Sequence, residues 1–318
     1  MSKSLAEYAD WLAERNLRWP APPKFEPVRA QPYLKPLPGI KAVAWDVYGT
    51  MLRISDGELL FQHPQAMRME VALDKTLQEF NLWHSMSRKP GAPWEYLQTL
   101  YLRAYDDLRL AGSGRKGDLT EIDSAKLWRK VLDKLNLEEF TYDESFYGDL
   151  DELSEKMAYF FHSALQGVEA ASGALAVLTE LSQAGFVCGV VADGQCFTRV
   201  QMLRALGQQG TLPPAEALWN SRAVVLSHIE GVRKPSRSLY VRAIERFQNL
   251  GIAPEQVLYV GARLREDLTM AKAAGFRTVL YAGDKVSLRA SLADLRDPAV
   301  KPDRMITELL QVRDILSL

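Results

Sequence analysis

Five short apolar runs, at 43–45, 186–191, 223–226, 257–260 and 278–281, stand out from the rest of the chain. None carries a polar residue at every second position, the signature of strands covered on both faces, as in a parallel sheet. Ahead of each of the last four runs the apolar spacing lengthens to a helical repeat, at 173–183, 198–206, 238–247 and 268–274, with Gly185 and Gly275 as stops. Strands alternating with helices imply right-handed crossovers, so the expected fold class is α/β, a doubly wound parallel sheet.

The stretch after the first run breaks this rhythm. Amphipathic helical spacing recurs at 65–80, 94–110, 122–135 and 149–165 without an intervening strand, which predicts an all-helical insertion. Ahead of the sheet, Leu5, Tyr8, Trp11 and Leu12 draw one stripe on a helix capped by Ser4, and seven prolines between 20 and 38 then impose an extended tether with Phe25 and Tyr33 as aromatic anchors. The expected organisation is therefore an arm (1–38), a first sheet segment (39–55), a helical insertion (56–167) and the remainder of the sheet domain (168–318). The arm either packs on its own domain or reaches across to a second subunit as a homodimer.

Open parallel sheets gather ligands at the carboxyl ends of their strands. Asp46 ends the first run and is followed by Tyr48-Gly49-Thr50, where Gly49 lets the backbone turn sharply. The second run leads into Ala192-Asp193-Gly194, Lys234-Pro235 precedes a helix, and Gly261 opens Ala262-Arg263-Leu264-Arg265-Glu266-Asp267. Asp46, Asp193, Lys234 and Asp267 should thus converge on one crevice.

Composition narrows the partners. In 318 residues, 39 Lys and Arg balance 40 Asp and Glu, so no overall field favours nucleic acid or an anionic membrane. The apolar runs are far shorter than the roughly 18 residues a spanning helix needs, and the expected location is the cytoplasm. Cys188 and Cys196 lack a CxxC spacing and read as reduced thiols. His63, His84, His162 and His228 are scattered without ligand spacing, and the GxGxxG match at 112–117 follows a helix rather than a strand, so it reads as a helix-to-helix loop.

The order Asp46-Val-Tyr48-Gly49-Thr50, Lys234-Pro235 with Tyr240 six residues after the lysine, and Asp267 resembles the haloacid dehalogenase-like (HAD) superfamily, in its 2-haloacid dehalogenase branch. The resemblance implies a helical cap inserted after the first strand, Asp46 as nucleophile, Lys234 and Asp267 as its catalytic partners, and Tyr48, Thr50, Asp193, Gly194 and Tyr240 around the substrate. It is incomplete at Ala192 and Ala262, where the family carries polar or acidic groups, and at Leu264, where the dehalogenases carry Asn.

Chemistry weighs the alternatives. A buried carboxylate is kept ionised and aimed by a neighbouring ammonium, the part Lys234 would play. Attack on phosphorus expels an alkoxide that needs a proton, and a phenol at Tyr48, with a pKa of about 10, is a poor donor. A halide needs none. Magnesium relies on carboxylate oxygens, and only Asp46 and Asp267 remain to offer them, so no cofactor is expected. Arg263 or Arg265 either takes the metal's place or faces solvent, and Arg68 and Arg103 are candidates for holding a substrate carboxylate. Three readings follow: a HAD-type hydrolase acting on a small anionic substrate through an Asp46 ester, a HAD-fold protein that binds without turnover, and a magnesium-dependent phosphatase.

Overall fold

A computed structural model describes residues 2–82, 91–112, 117–135 and 140–318. His84 and positions 113–116 of the GxGxxG loop lie outside them. Among the described residues the main sheet contains β1 (Ala42–Trp45), β2 (Val187–Ala192), β3 (Val224–Leu226), β4 (Val257–Gly261), β5 (Arg277–Tyr281) and β6 (Arg304–Ile306). The spatial order is β6-β5-β4-β1-β2-β3 and every pairing is parallel. The order reverses at β1, which makes its carboxyl end the switch point where such sheets bind ligands. Pairing of Trp45 with Val190 on one side and Val260 on the other places Asp46 between the ends of β2 and β4.

Alternation along each strand explains the two-sided core. Val43, Trp45, Cys188, Val190, Leu258 and Val260 pack on one face with α6 (Ala174–Gln183). Ala42, Ala44, Val191, Val257 and Tyr259 pack on the other with α8 (Arg237–Gln248) and α9 (Thr269–Ala273). Because both faces are buried, the strands read as continuous apolar runs.

Among the described residues the long inserted helices are α2 (Ala66–Glu79), α3 (Pro93–Ala111), α4 (Ser124–Lys134) and α5 (Leu150–Leu165). Asp123 and Asp149 cap α4 and α5 by accepting hydrogen bonds from the first-turn amides. The spacing predicts an all-helical insertion, but a short strand stands within it. Leu119–Thr120 pairs antiparallel with Val232–Arg233 of the sheet domain, immediately before Lys234. Such a two-residue ladder has no room for an alternating pattern, so periodicity cannot reveal it.

Helix α1 (Leu5–Glu14) joins the core of the insertion. Ser4 and Glu7 form a reciprocal cap, and Tyr8 is buried among Trp11, Phe80, Phe146, Tyr147 and Tyr159. The prolines then carry the chain back to the sheet, where Tyr33 pairs with Met305 of the edge strand β6. Phe25 and Tyr33 are not buried anchors: they are 53% and 50% exposed, with their rings under the guanidiniums of Arg53 and Arg304. In this chain the arm packs on its own domain and insertion.

A candidate active site at the end of the first strand

The turn after β1 is fixed by backbone bonds from Thr50 N to Val47 O (3.1 Å) and Gly49 N to Leu52 O (2.7 Å). Gly49 adopts φ +92°, and a Cβ there would come within 3.1 Å of Ser287 Cβ, so conformation and space both call for glycine. This turn holds Asp46 against three further elements. Lys234 Nζ donates to Asp46 Oδ1 (2.6 Å), to Asp267 Oδ1 (2.8 Å) and to the Tyr259 hydroxyl (3.3 Å), which in turn donates to Val191 O (3.0 Å). From the π-helical turn Leu264–Leu268, Asp267 faces the same ammonium.

Arg263 closes the group. Its Nη2 lies 3.4 Å from Asp46 Oδ2, and its Nε lies 3.3 Å from Asp267 Oδ2, which also accepts from the Arg263 backbone N at 3.1 Å. Two carboxylates are therefore bridged by two cations, Lys234 on one oxygen of each and Arg263 on the other. Asp46, Lys234 and Asp267 are 1%, 4% and 0% exposed, so these are buried charges that only mutual pairing makes tolerable. Arg265 takes no part; its side chain is exposed and pairs with Asp294.

The two acids are driven apart in proton affinity. Burial, and then repulsion from Asp267, pushes Asp46 up to about 6 against the pull of Lys234 and Arg263. Burial also pushes Asp267 upward, but Arg263 and Lys234 outweigh it and hold that carboxyl below its ordinary value. Burial lowers Lys234's proton affinity, yet Asp267 and Asp46 more than compensate, so it stays a cation. Asp46 is thus the acid of the pair that titrates near neutrality.

The other residues picked out from the sequence fall in different places. Asp193 accepts from Lys234 N through Oδ1 (2.8 Å) and so fixes the lysine's backbone. Gly194 N donates to Ser227 Oγ (2.9 Å). Thr50 Oγ1 is buried without a hydrogen-bond partner beside the turn, as is Ser287 Oγ. Tyr48 donates its phenol to Gln201 Oε1 (2.6 Å) and lies 3.0 Å from Thr198 Oγ1, both on α7 (Thr198–Gly207); burial raises its proton affinity further. Tyr240 donates to the carbonyl of Asp267 (2.9 Å), so it supports the acid from behind. Arg68 pairs on the surface with Asp56 and His63, and Arg103 is exposed on α3.

Sequence reasoning missed Tyr259, whose hydroxyl reads as one more apolar strand position, and Ser287, which no motif marks. It also missed Glu121 of the insertion. Glu121 Oε1 accepts from Gln195 Nε2 (3.2 Å) and Ile122 N (2.9 Å). Its carboxyl is pushed up to about 7, first by burial and next by Asp193, against the lowering effects of Ser227 and Arg233.

The acidic pair of this crevice does not suit magnesium. The ion needs several oxygen ligands in a strict octahedron, and each carboxylate oxygen already faces a cation. Ala262 and Leu264 offer no oxygen from their side chains, and among the described residues no group of three or more His, Cys, Asp or Glu is placed to hold a metal.

A family model for haloacid dehalogenase-like hydrolases matches residues 40–275, a span that contains the whole cluster. The chain belongs to this family. As a HAD-like hydrolase it is 29% identical over 144 residues to a glyceraldehyde 3-phosphate phosphatase of Pyrococcus furiosus, 45% of this chain and 53% of that protein. It is 33% identical over 102 residues to the Methanopyrus kandleri protein of the same name, 32% of this chain and 39% of that protein. The match thus spans about half or less of these curated relatives. Among solved structures, the 2-haloacid dehalogenase of Pseudomonas syringae pv. Tomato DC3000 has the same fold, with TM-score 0.53 and 21% identity over 87% of this chain and 98% of that chain. Among the described residues of this HAD-like chain, no helix is long and apolar enough to cross a membrane.

Proposed function

We propose that this HAD-like hydrolase uses Asp46 to attack an electrophilic carbon in a small carboxylic acid of the 2-haloacid type, without a divalent metal. The observation that carries the reading is the buried 2.6 Å bond from Lys234 Nζ to Asp46 Oδ1. It leaves Oδ2, with only the longer 3.4 Å contact to Arg263, as the attacking oxygen. That oxygen forms the C–O bond of an ester while the carbon–halogen bond breaks and halide departs with its electron pair. Water then adds to the ester carbonyl of Asp46. The 2-hydroxy acid leaves, the carboxylate is regenerated, and one proton is released.

A halide fits because it departs without a proton. The curated relatives are phosphatases, but phosphate ester cleavage needs an acid for the leaving alkoxide, and Tyr48 is committed to Gln201 and has a raised proton affinity. The four charged groups also sum to zero, leaving nothing spare to neutralise a phosphate dianion. We assign residues 56–167 the role of a cap that excludes water and must move to admit substrate, since Asp46 is only 1% exposed.

The test is to incubate the protein with 2-haloacids and phosphate monoesters, quench, digest and search for an adduct on Asp46 by mass spectrometry, with H2(18)O turnover as the second arm. A haloacid adduct and 18O in the Asp46 carboxylate are expected. An adduct on another residue, or phosphate ester turnover alone, would overturn the mechanism.

A second reading is favoured by one specific feature: Ala192, Ala262 and Leu264 put apolar side chains where the resemblance expects polar groups. On that reading the crevice binds a small anion without turnover. Ligand-induced stabilisation without any adduct would decide for it.

A further inference from the structure

The two carboxylates that remain of the family's acidic set are joined by Arg263 as well as by Lys234. The guanidinium meets Asp46 Oδ2 at 3.4 Å and Asp267 Oδ2 at 3.3 Å, and its own backbone N holds Asp267 Oδ2 at 3.1 Å. The side chain is therefore folded back over the turn Leu264–Leu268 and held to the acids at both ends. An arginine is permanently charged and more weakly hydrated than an ammonium, which suits a cation shut away from water. Arg265, two residues on, turns outward to Asp294 and cannot share this task.

We propose that Arg263 is a resident cation bridging Asp46 and Asp267, which excludes a divalent metal ion from the crevice and positions Asp46 in its place. The cluster is neutral as it stands: Lys234 and Arg263 against Asp46 and Asp267. Entry of a doubly charged ion would leave two uncompensated buried charges, and one even if Arg263 left. Ala262 compounds the exclusion, because it withholds the oxygen a metal would require. The inference deepens the metal-free reading above. Its readout is metal binding and not turnover, so the two can fail separately.

The experiment measures Mn2+ binding by electron paramagnetic resonance, and Mg2+-dependent thermal stabilisation, in the full chain and in Ala262→Asp, Arg263→Ser and the double variant. Wild type and Ala262→Asp are expected to bind neither ion, because Arg263 neutralises any added acid. The double variant should gain affinity by at least the roughly 10–100-fold that even the outer partners of a metal site command. Should the double variant not fold, Ala262→Asp/Arg263→Gln, whose glutamine is similar in reach to the arginine but uncharged, is expected to show a Tm raised by Mg2+ and not by monovalent salt of equal ionic strength. Wild type that binds Mn2+ as tightly as the double variant, Ala262→Asp alone gaining the full affinity, or a folded double variant of either kind that gains none, overturns the proposal.

Discussion

Lys234 Nζ lies 2.6 Å from Asp46 Oδ1 although 188 positions separate the two residues in the chain. The sheet brings them together. β1 ends between β2 and β4, and Asp193 at the end of β2 fixes the backbone of Lys234. Consequences for pH, stability and mechanism follow from that pairing.

Activity should rise with pH on the acid side. In the proposed mechanism the ionised form of Asp46 is the nucleophile, and its carboxyl is lifted to about 6, chiefly by burial and next by Asp267. The acid limb of kcat/KM on a 2-haloacid is therefore expected near pH 6. Asp267→Asn removes the repulsion and should move the limb to lower pH, whereas Lys234→Met removes an attraction and should move it higher. A limb that stays put in both variants would show that Asp46 is not the titrating nucleophile.

Asp46→Asn should abolish adduct formation. Its effect on the fold joins two opposed consequences: it removes a buried carboxylate whose proton affinity is raised, and it leaves two buried cations facing one carboxylate. The double variant Asp46→Asn/Lys234→Met restores neutrality and should be more stable than the sum of the two single changes predicts. Urea denaturation of the wild type, both single variants and the double variant measures the coupling; strict additivity would contradict the picture of one closed charge cluster.

The contact of Glu121 with the sheet domain should make stability fall with rising pH. Its folded carboxyl is raised from 4.5 to about 7, so the folded chain holds a proton that the unfolded chain releases in between. The contribution is present below the unfolded value and disappears as pH climbs through the folded one. Glu121→Gln should flatten this dependence and gain about 1–2 kcal/mol over wild type at pH 8. Denaturation midpoints at pH 5 and 8 check it, and a parallel loss at both would mean that only the packing mattered.

Tyr8→Ala should destabilise the chain by about 3–5 kcal/mol, the usual loss for emptying a large aromatic site. Tyr8→Phe should cost far less, because the hydroxyl makes only a 3.3 Å bond to Glu79. Equal and small effects in chemical denaturation would show that α1 is a dispensable appendage.

Much of this was legible in the chain itself. The apolar runs located the sheet because strands buried on both faces cannot alternate, and the helical spacing at 65–80, 94–110, 122–135 and 149–165 located the insertion. Asp46, Lys234 and Asp267 stood out because strand ends in such a sheet converge whatever lies between them. Three features stayed hidden. Strand β6 (Arg304–Ile306) is too short to show a period, and the Leu119–Thr120 ladder exists only through its partner. Two arginines, Arg263 and Arg265, looked equivalent in the string Ala262-Arg-Leu-Arg-Glu-Asp267.

The sequence by itself determined which residues carry charge and which elements they terminate, because periodicity and strand ends are local properties. Only the tertiary structure decided where each charge points. The turn Leu264–Leu268 sends Arg263 inward to both acids and Arg265 outward to Asp294, while Tyr48 and Tyr240 hand their hydroxyls to α7 and to the carbonyl of Asp267. Those directions depend on the register and packing of distant segments, which no local pattern encodes.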